Sequence, residues 1–231
     1  IEGASLEANK GAYSYAWMII FAVIAAIMVL IGLYHIRMLP SNQIPSTTKK
    51  PASEVGHELV AVIANFFTKK HIFYYICFII LYRLAEGFIM KIAPLFLRAS
   101  REVGGLGLSL KEIGTLNGVF GSAAFVLGSL LAGIYVSKFG LKRTLFTLCC
   151  IFNLPFVAYT FLAVTQPTNV YLIGTCITME YFGYGFGFVG LTLFMMQQIA
   201  PGKHQMSHYA FASGIMNLGV MLPGMVISVI Y

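Results

Sequence analysis

Charged side chains are scarce in this sequence. Asp, Glu, Lys and Arg together make up 10% of its 231 residues, against about 25% in an ordinary soluble domain. With 58% hydrophobic residues and a mean hydropathy of +0.82, that shortage excludes a soluble domain and identifies an integral membrane protein. Alternating strands of about ten residues are missing, which excludes a membrane β-barrel and leaves helices. Cysteine is also sparse. Cys77, Cys149, Cys150 and Cys176 all fall in apolar segments without metal-ligand spacing and read as small buried hydrophobes. The glycine-rich GYGFG run at 183–187 has neither a preceding strand nor a following Lys-Ser/Thr, so it is no phosphate loop. No His beside an acid, serine-nucleophile motif or set of metal ligands lies in the apolar segments. The chain is therefore expected not to be an enzyme and to carry no metal or cofactor.

What the chain does have is long apolar runs. Six can be drawn, at roughly 14–34, 71–97, 110–137, 141–164, 168–199 and 205–231. Each is long enough to cross about 30 Å of hydrocarbon as a helix. The predicted class is an all-α polytopic membrane protein of six transmembrane helices. The formal charge is +7. In such a chain the cations set topology, and nucleic acid is not an expected partner. Arg37, Lys49, Lys50, Lys69, Lys70, Lys138, Lys142, Arg143 and Lys203 fall on one side of the alternating connections. Lys10, Arg98, Arg101 and Lys111 fall on the other. By the positive-inside rule the richer side is cytoplasmic, which places loops 36–70, 138–143 and 200–204 there. The expected location is the cell inner (plasma) membrane. The chain starts at Ile1 without Met and stops inside an apolar run, so it is expected to be part of a longer protein.

Residues 36–52 hold three prolines among polar residues and read as a linker. In the stretch that follows, Val55, Leu59, Val62, Ile63, Phe66 and Phe67 recur at helical spacing before Lys69 and Lys70. That pattern predicts an amphipathic helix on the cytoplasmic membrane surface, or else an early extension of the next span. The predicted organisation is a first helix at 1–35, a cytoplasmic linker with a surface helix at 36–70, and a helical bundle at 71–231.

Between the third and fourth spans lies a short basic turn, GIYVSKFGLKR, from Gly133 to Arg143. Gly133 permits close helix contact and Gly140 a sharp turn. A hairpin that only sets topology would account for Lys138, Lys142 and Arg143. The spacing nevertheless resembles the signature loop of the major facilitator superfamily, Gly-x-x-x-Asp-Arg/Lys-x-Gly-Arg/Lys-Arg/Lys. Gly133, Lys138, Gly140 and Lys142 match it, while Ser137 stands in place of the Asp and Leu141 in place of a cation. LYRLAEGFIMKIAPLFL, LSLKEIGTLNGVFGSAAFVLGSLLAG, TMEYFGYGFGFVGLTLFMMQQIAP and SHYAFASGIMNLG extend the likeness. They resemble muropeptide permeases of the AmpG type, a branch that also includes acetyl-coenzyme A carriers. The resemblance implies a fragment covering about the sixth to eleventh helices of a twelve-helix carrier. Residues 1–35 would be the last helix of the N-terminal bundle, and 71–231 five of the six helices of the C-terminal bundle. The first helices of the same protein would be a missing partner. The carboxylate that the gating loop normally supplies is absent here.

Arg83, Glu86 and Lys91 lie within the second span and Glu180 within the fifth. Ionisable groups at that depth are costly unless they face a bundle interior or a wet cavity. Arg83 and Glu86 are three positions apart and share a helix face. Lys91 lies eight positions beyond Arg83, broadly on that side and ~12 Å further along. The trio suits a cavity wall that meets an anionic substrate; the other reading is an ion pair that only fixes helix packing. Proton binding at Glu86 would require Arg83 to be drawn away, for example by a substrate carboxylate. Glu180 has no cation within one helical turn and is the better candidate for a simple proton acceptor. Gly183, Gly185, Gly187 and Gly190 alternate with aromatic residues, either to pack helices closely or to line a sugar site. Tyr209 and Asn217, eight apart on the last helix, are further pocket candidates, and His208 reads as interfacial.

Together these features point to a secondary active transporter working by alternating access, with its site near the membrane midplane. The resemblance implies proton-coupled uptake of muropeptides, with a small-molecule substrate, protons and membrane lipid as partners. An acyl-coenzyme A or other organic-anion carrier is the alternative within transport. A non-transporting membrane sensor or a membrane-embedded enzyme on the same scaffold is the alternative of another class.

Overall fold

The structure, a computed structural model, describes residues 2–38 and 52–230. Every described element is a helix. The chain divides into two units, Ile1–Pro51 and Ala52–Tyr231. The first holds one helix, α1 (Glu2–Met38). Its apolar stretch Ser14–Met38 is long enough to cross a membrane. Apolar residues surround it on all sides, as a helix in hydrocarbon requires. Most of the predicted linker, 39–51, lies outside the described residues.

The second unit opens with α2 (Ala52–Phe67). Its apolar face is divided: Val62 and Phe66 are buried, whereas Leu59, Ile63 and Phe67 are exposed. The helix is no extension of the next span. It ends before a turn in which His71 adopts a left-handed conformation, φ 64°. Next come α3 (Ile72–Arg98), α4 (Leu110–Thr115) and α5 (Ser122–Phe139), then α6 (Leu141–Asn153) and α7 (Phe156–Thr165). They are followed by α8 (Val170–Phe194) and α9 (Gln205–Ile230). A π-helical segment, Leu116–Gly121, joins α4 to α5, so that Leu110–Phe139 forms one rod. A second π segment, Met195–Ile199, prolongs α8. Ser109 caps α4 reciprocally with Glu112, which satisfies free amides at that helix start. Gly140 makes the sharp turn between α5 and α6 at φ 79°, a conformation that disfavours a side chain.

Five described helices are long and apolar enough to cross a membrane: Ser14–Met38, Ile72–Arg98, Leu110–Phe139, Leu141–Thr165 and Gln205–Val226. α8, which the sequence predicts as a span, is not among them, although it is 25 residues long. Glu180, four glycines and three tyrosines between 181 and 190 and at 171 lower its hydropathy. Its surroundings explain how that is tolerated. Eleven of its residues are buried, against four in α5, so its neighbours rather than its own side chains screen it.

Hydrogen bonds pin both ends of α8. At one end Lys69, just before α3, donates through Nζ to the Ile199 and Pro201 carbonyls, the latter at 2.8 Å. At the other, Arg101, just after α3, donates from Nη1 and Nη2 to the Gln166 and Pro167 carbonyls at 2.9 Å each. Gln166 Nε2 returns a 2.8 Å bond to the Gly104 carbonyl. α8 therefore runs the whole length of α3 in the opposite direction. The contacts Leu116 to Gly174, Gly121 to Tyr181 and Gly128 to Phe186 advance together, so the α4–α5 rod lies parallel to α8. The contacts of Gly183, Gly187 and Gly190 with Pro155, Phe152 and Leu148 run oppositely, so α6 is antiparallel to it. This alternation brings the basic turns around Lys69, Lys142 and Lys203 to the same end, in agreement with the charge distribution.

Two apolar clusters fill the bundle. The larger includes Phe66, Ile79, Tyr82, Leu148, Phe152, Phe186 and Leu191. The smaller, toward the Arg101 end, includes Leu97, Leu106, Leu116, Leu162, Ile173 and Ile177. Along α3 and α8, the ionisable residues fall between them.

Candidate functional site: a polar chamber between two apolar clusters

Arg83 Nε lies 2.9 Å from Glu86 Oε2. Both residues are buried, Arg83 at 5% and Glu86 at 2% exposure. Their spacing of three puts both side chains on one side of α3. The Arg83 guanidinium also lies over two rings of α8, Phe188 at 5.3 Å and Tyr184 at 5.8 Å from their centroids. Ring faces of this kind attract a desolvated cation. The aromatic residues interleaved with the α8 glycines thus hold Arg83 in place. Glu86 also shares a side-chain hydrogen bond with Tyr184.

Glu180 is 7% exposed and has no cation partner among the described residues. It and Glu86 line the same cavity of about 250 Å³, together with Asn117, Tyr159, Tyr181 and Tyr184. Glu86 stands 12 residues before Arg98 and Glu180 10 residues after Val170. At 1.5 Å per residue these are ~18 and ~15 Å from the same end of the bundle. The two carboxylates therefore meet at nearly the same depth, close to the middle of both helices. With Arg83 counted, one carboxylate in excess of the cations faces this chamber. Carboxylates and phenols that line one small, partly open cavity can hold, share and pass a proton.

The glycines of α8 allow its neighbours to close around the chamber. A side chain at Gly185 would collide with the Phe125 carbonyl, and one at Gly187 with Phe152. The exposed peptide oxygens are used. Ser129 Oγ donates to the Gly185 carbonyl at 3.1 Å and Tyr82 Oη to the Gly187 carbonyl at 2.8 Å. Small residues here serve helix packing.

Other residues singled out in the sequence lie elsewhere. Lys91 is exposed, with its stem alongside Gly224 of α9. Five residues separate it from Glu86, which turns it about 140° around the helix at 3.6 residues per turn, so it does not join the chamber. Asn217 is exposed. Tyr209 is half-buried and packs against the larger apolar cluster. His208, expected at an interface, is 1% exposed, with its ring 5.7 Å from Phe66 and 6.0 Å from His204. It faces α2 because Phe66 docks there.

In the basic turn Ser137 Oγ donates to the Ile134 carbonyl at 2.9 Å, and Lys138 Nζ lies 5.5 Å from the Phe139 ring centroid. Ser137, Lys138, Lys142 and Arg143 are exposed. Gly133 faces open space; its place on the uncovered side of α5 removes the close helix contact expected of it.

Sequence reasoning missed Asn117, Tyr82 and the two hydrogen bonds that Lys69 donates. An Asn inside a predicted span was the available signal for the first. The other two depend on which carbonyls α8 leaves within reach. Among the described residues no group of three or more His, Cys, Asp or Glu is arranged to hold a metal ion.

Comparison with known proteins gives the family. The family model of the Major Facilitator Superfamily matches residues 10–228. Two curated proteins are similar, the anhydromuropeptide permeases of Escherichia coli strain K12 and of Escherichia coli O157:H7. Each is 23% identical over 180 residues, covering 78% of this chain and 35% of the permease. The chain thus spans about a third of the length of the curated relatives it matches. It belongs to the Major Facilitator Superfamily, whose members are membrane-embedded secondary transporters and not enzymes.

Proposed function

We propose that this chain belongs to the second half of a carrier that takes up muropeptides together with protons by alternating access. The observation that carries this reading is that Glu86 and Glu180 line one cavity at one depth, the first paired with Arg83 and the second without a cation partner among the described residues. A buried carboxylate in excess needs a counter-charge, and a proton is the smallest that can cross with cargo. Glu180 is the resting proton site. Glu86 takes part when Arg83 is drawn away by an anionic group of the cargo.

The cavity that this chain forms is by itself too small to hold that cargo. Its ~250 Å³ is below the roughly 300–1,000 Å³ of sites for drug-sized ligands, and an anhydro-disaccharide peptide is larger than most of those. The chamber is the coupling compartment. The exposed Lys91 and Asn217 on the adjoining helices α3 and α9 are left to meet an anionic substrate, with Tyr209 nearer the cytoplasmic end.

In this reading α8 is a sixth span, because it runs the full length of α3. α1 is the last helix of a first bundle, residues 36–70 form a cytoplasmic linker, and residues 71–231 are five helices of the second bundle. The basic turn from Gly133 to Arg143 is the gating loop on the cytoplasmic side of the inner membrane. The similarity to the anhydromuropeptide permeases favours a muropeptide over an acyl-coenzyme A cargo.

The test is uptake of labelled anhydromuropeptide into vesicles containing the full-length protein, with and without an imposed inward proton gradient. Gradient-driven accumulation that excess acetyl-coenzyme A does not suppress is expected. Uptake indifferent to the gradient would remove proton coupling, and suppression by acetyl-coenzyme A would move the cargo to the other class.

A further inference from the structure

One polar side chain of the chamber has no part in the scheme above. Asn117 lies in the π-helical segment Leu116–Gly121 and lines the cavity that Glu86 and Glu180 share. Its Oδ1 is buried without a hydrogen-bond partner among the described residues. An unsatisfied amide oxygen in such a place costs free energy. π turns are themselves rare, and they are found frequently at functional sites.

The surroundings show what the oxygen lacks. Glu180 faces Glu86 from α3, with Arg83 behind it, Tyr159 from α7, and Tyr181 and Tyr184 on its own helix. Glu86 is already engaged by Arg83 and by a side-chain hydrogen bond with Tyr184. The phenols bring donors to the chamber, yet none of them meets Asn117 Oδ1, which has no partner among the described residues. A proton delivered to a carboxylate there creates an O–H donor, which is what an acceptor without a partner can use.

We propose that Asn117 is a positioning residue for proton coupling, its side-chain carbonyl accepting the hydrogen bond of the protonated carboxyl that Glu180 forms. This rests on the reading of Glu180 as the proton site. The step is a simple protonation: a proton adds to one Glu180 oxygen, and the new O–H donates to Asn117 Oδ1 with no bond broken elsewhere. The π turn supplies the geometry. In a regular α-helix each residue from Asn117 toward Lys111 would be turned by about 100° relative to α5, which would swing the amide out of the chamber. A π-to-α conversion of Leu116–Gly121 would therefore withdraw the acceptor and favour release of the proton.

The experiment is an infrared titration of the protonated-carboxyl C=O band in the full-length protein reconstituted in lipid. Wild type is compared with E180Q, N117A and N117Q. Absence of the band in E180Q assigns it. In N117A the pH at which the band disappears is expected to fall by about one unit, the effect of losing one neutral hydrogen bond. N117Q, which keeps an amide carbonyl one methylene further out, is expected to recover most of that shift. A residue that only stabilised the π turn would lower thermal stability and leave the midpoint in place, so an unmoved midpoint in N117A overturns the proposal. A band that survives in E180Q overturns both this proposal and the assignment of Glu180. A band lost in E180Q with an unmoved N117A midpoint overturns this one alone.

Discussion

The Tyr82 hydroxyl donates a 2.8 Å hydrogen bond to the Gly187 carbonyl, across the bundle from α3 to α8 and one residue before Arg83. Both residues are buried. The bond exists because Gly187 has no side chain: the α6 residue Phe152 occupies that space, and its ring packs against Tyr82 at 4.8 Å. Three helices are thereby registered immediately beside the ion pair.

That bond can be removed without changing shape. Y82F would leave the Gly187 carbonyl without its donor in a dry environment, at a cost of about 1–3 kcal/mol. A lower unfolding temperature in detergent is expected, with gradient-driven uptake retained at permissive temperature. Unchanged stability would show that the carbonyl finds another partner.

The Arg83–Glu86 pair should behave as a buried unit. Removing one member strands the other, typically at about 3–5 kcal/mol, whereas removing both is far less costly. E86Q and R83Q are each expected to lower thermal stability more than the double variant R83Q/E86Q does. In addition, E86Q is expected to abolish proton-coupled uptake while the protein still inserts. A double variant no more stable than either single one would argue against the pairing, and full transport by E86Q would remove Glu86 from the mechanism.

Among the described residues Glu180 has no cation partner of the kind Glu86 has, so its replacement separates coupling from movement. In E180Q, uptake should no longer exceed the level reached without an imposed proton gradient. Exchange of labelled for unlabelled anhydromuropeptide should continue, because the neutral amide mimics the protonated acid. Accumulation that still follows the gradient would place the proton elsewhere.

Lys69 holds the end of the prolonged α8 by two carbonyl bonds, a favourable position for a cation at a helix C-terminus. Met in its place keeps the apolar stem and loses both bonds. K69M is expected to exchange the amides of α2 and the 199–203 connection faster in hydrogen-exchange measurements. Burial holds the Lys69 ammonium below the usual lysine range. The folded chain therefore gives up this proton at a lower pH than the unfolded chain. Across the interval between the two values the unfolded chain binds more protons, so the contribution of this group to stability rises with pH. K69M should lack that rise.

The sequence by itself determined the class, the approximate limits of the helices, the basic end of the bundle and the presence of costly charges within it. These follow from one-dimensional quantities: apolar length against membrane thickness, the positions of Lys and Arg, and the high energy of an ion in hydrocarbon. Even the Arg83–Glu86 contact was legible, because spacing along one helix fixes it. Contacts between helices were not. That Glu180 meets Glu86 depends on α8 running antiparallel to α3 in one particular register, set by the bonds of Lys69 and Arg101 at its two ends. That Lys91 turns away while Asn117 turns in depends on angles around helices, and for Asn117 on a π segment that no apolar period announces. Tertiary structure decided which polar groups share a chamber, because a helix offers a full circle of directions and only its packed neighbours select among them.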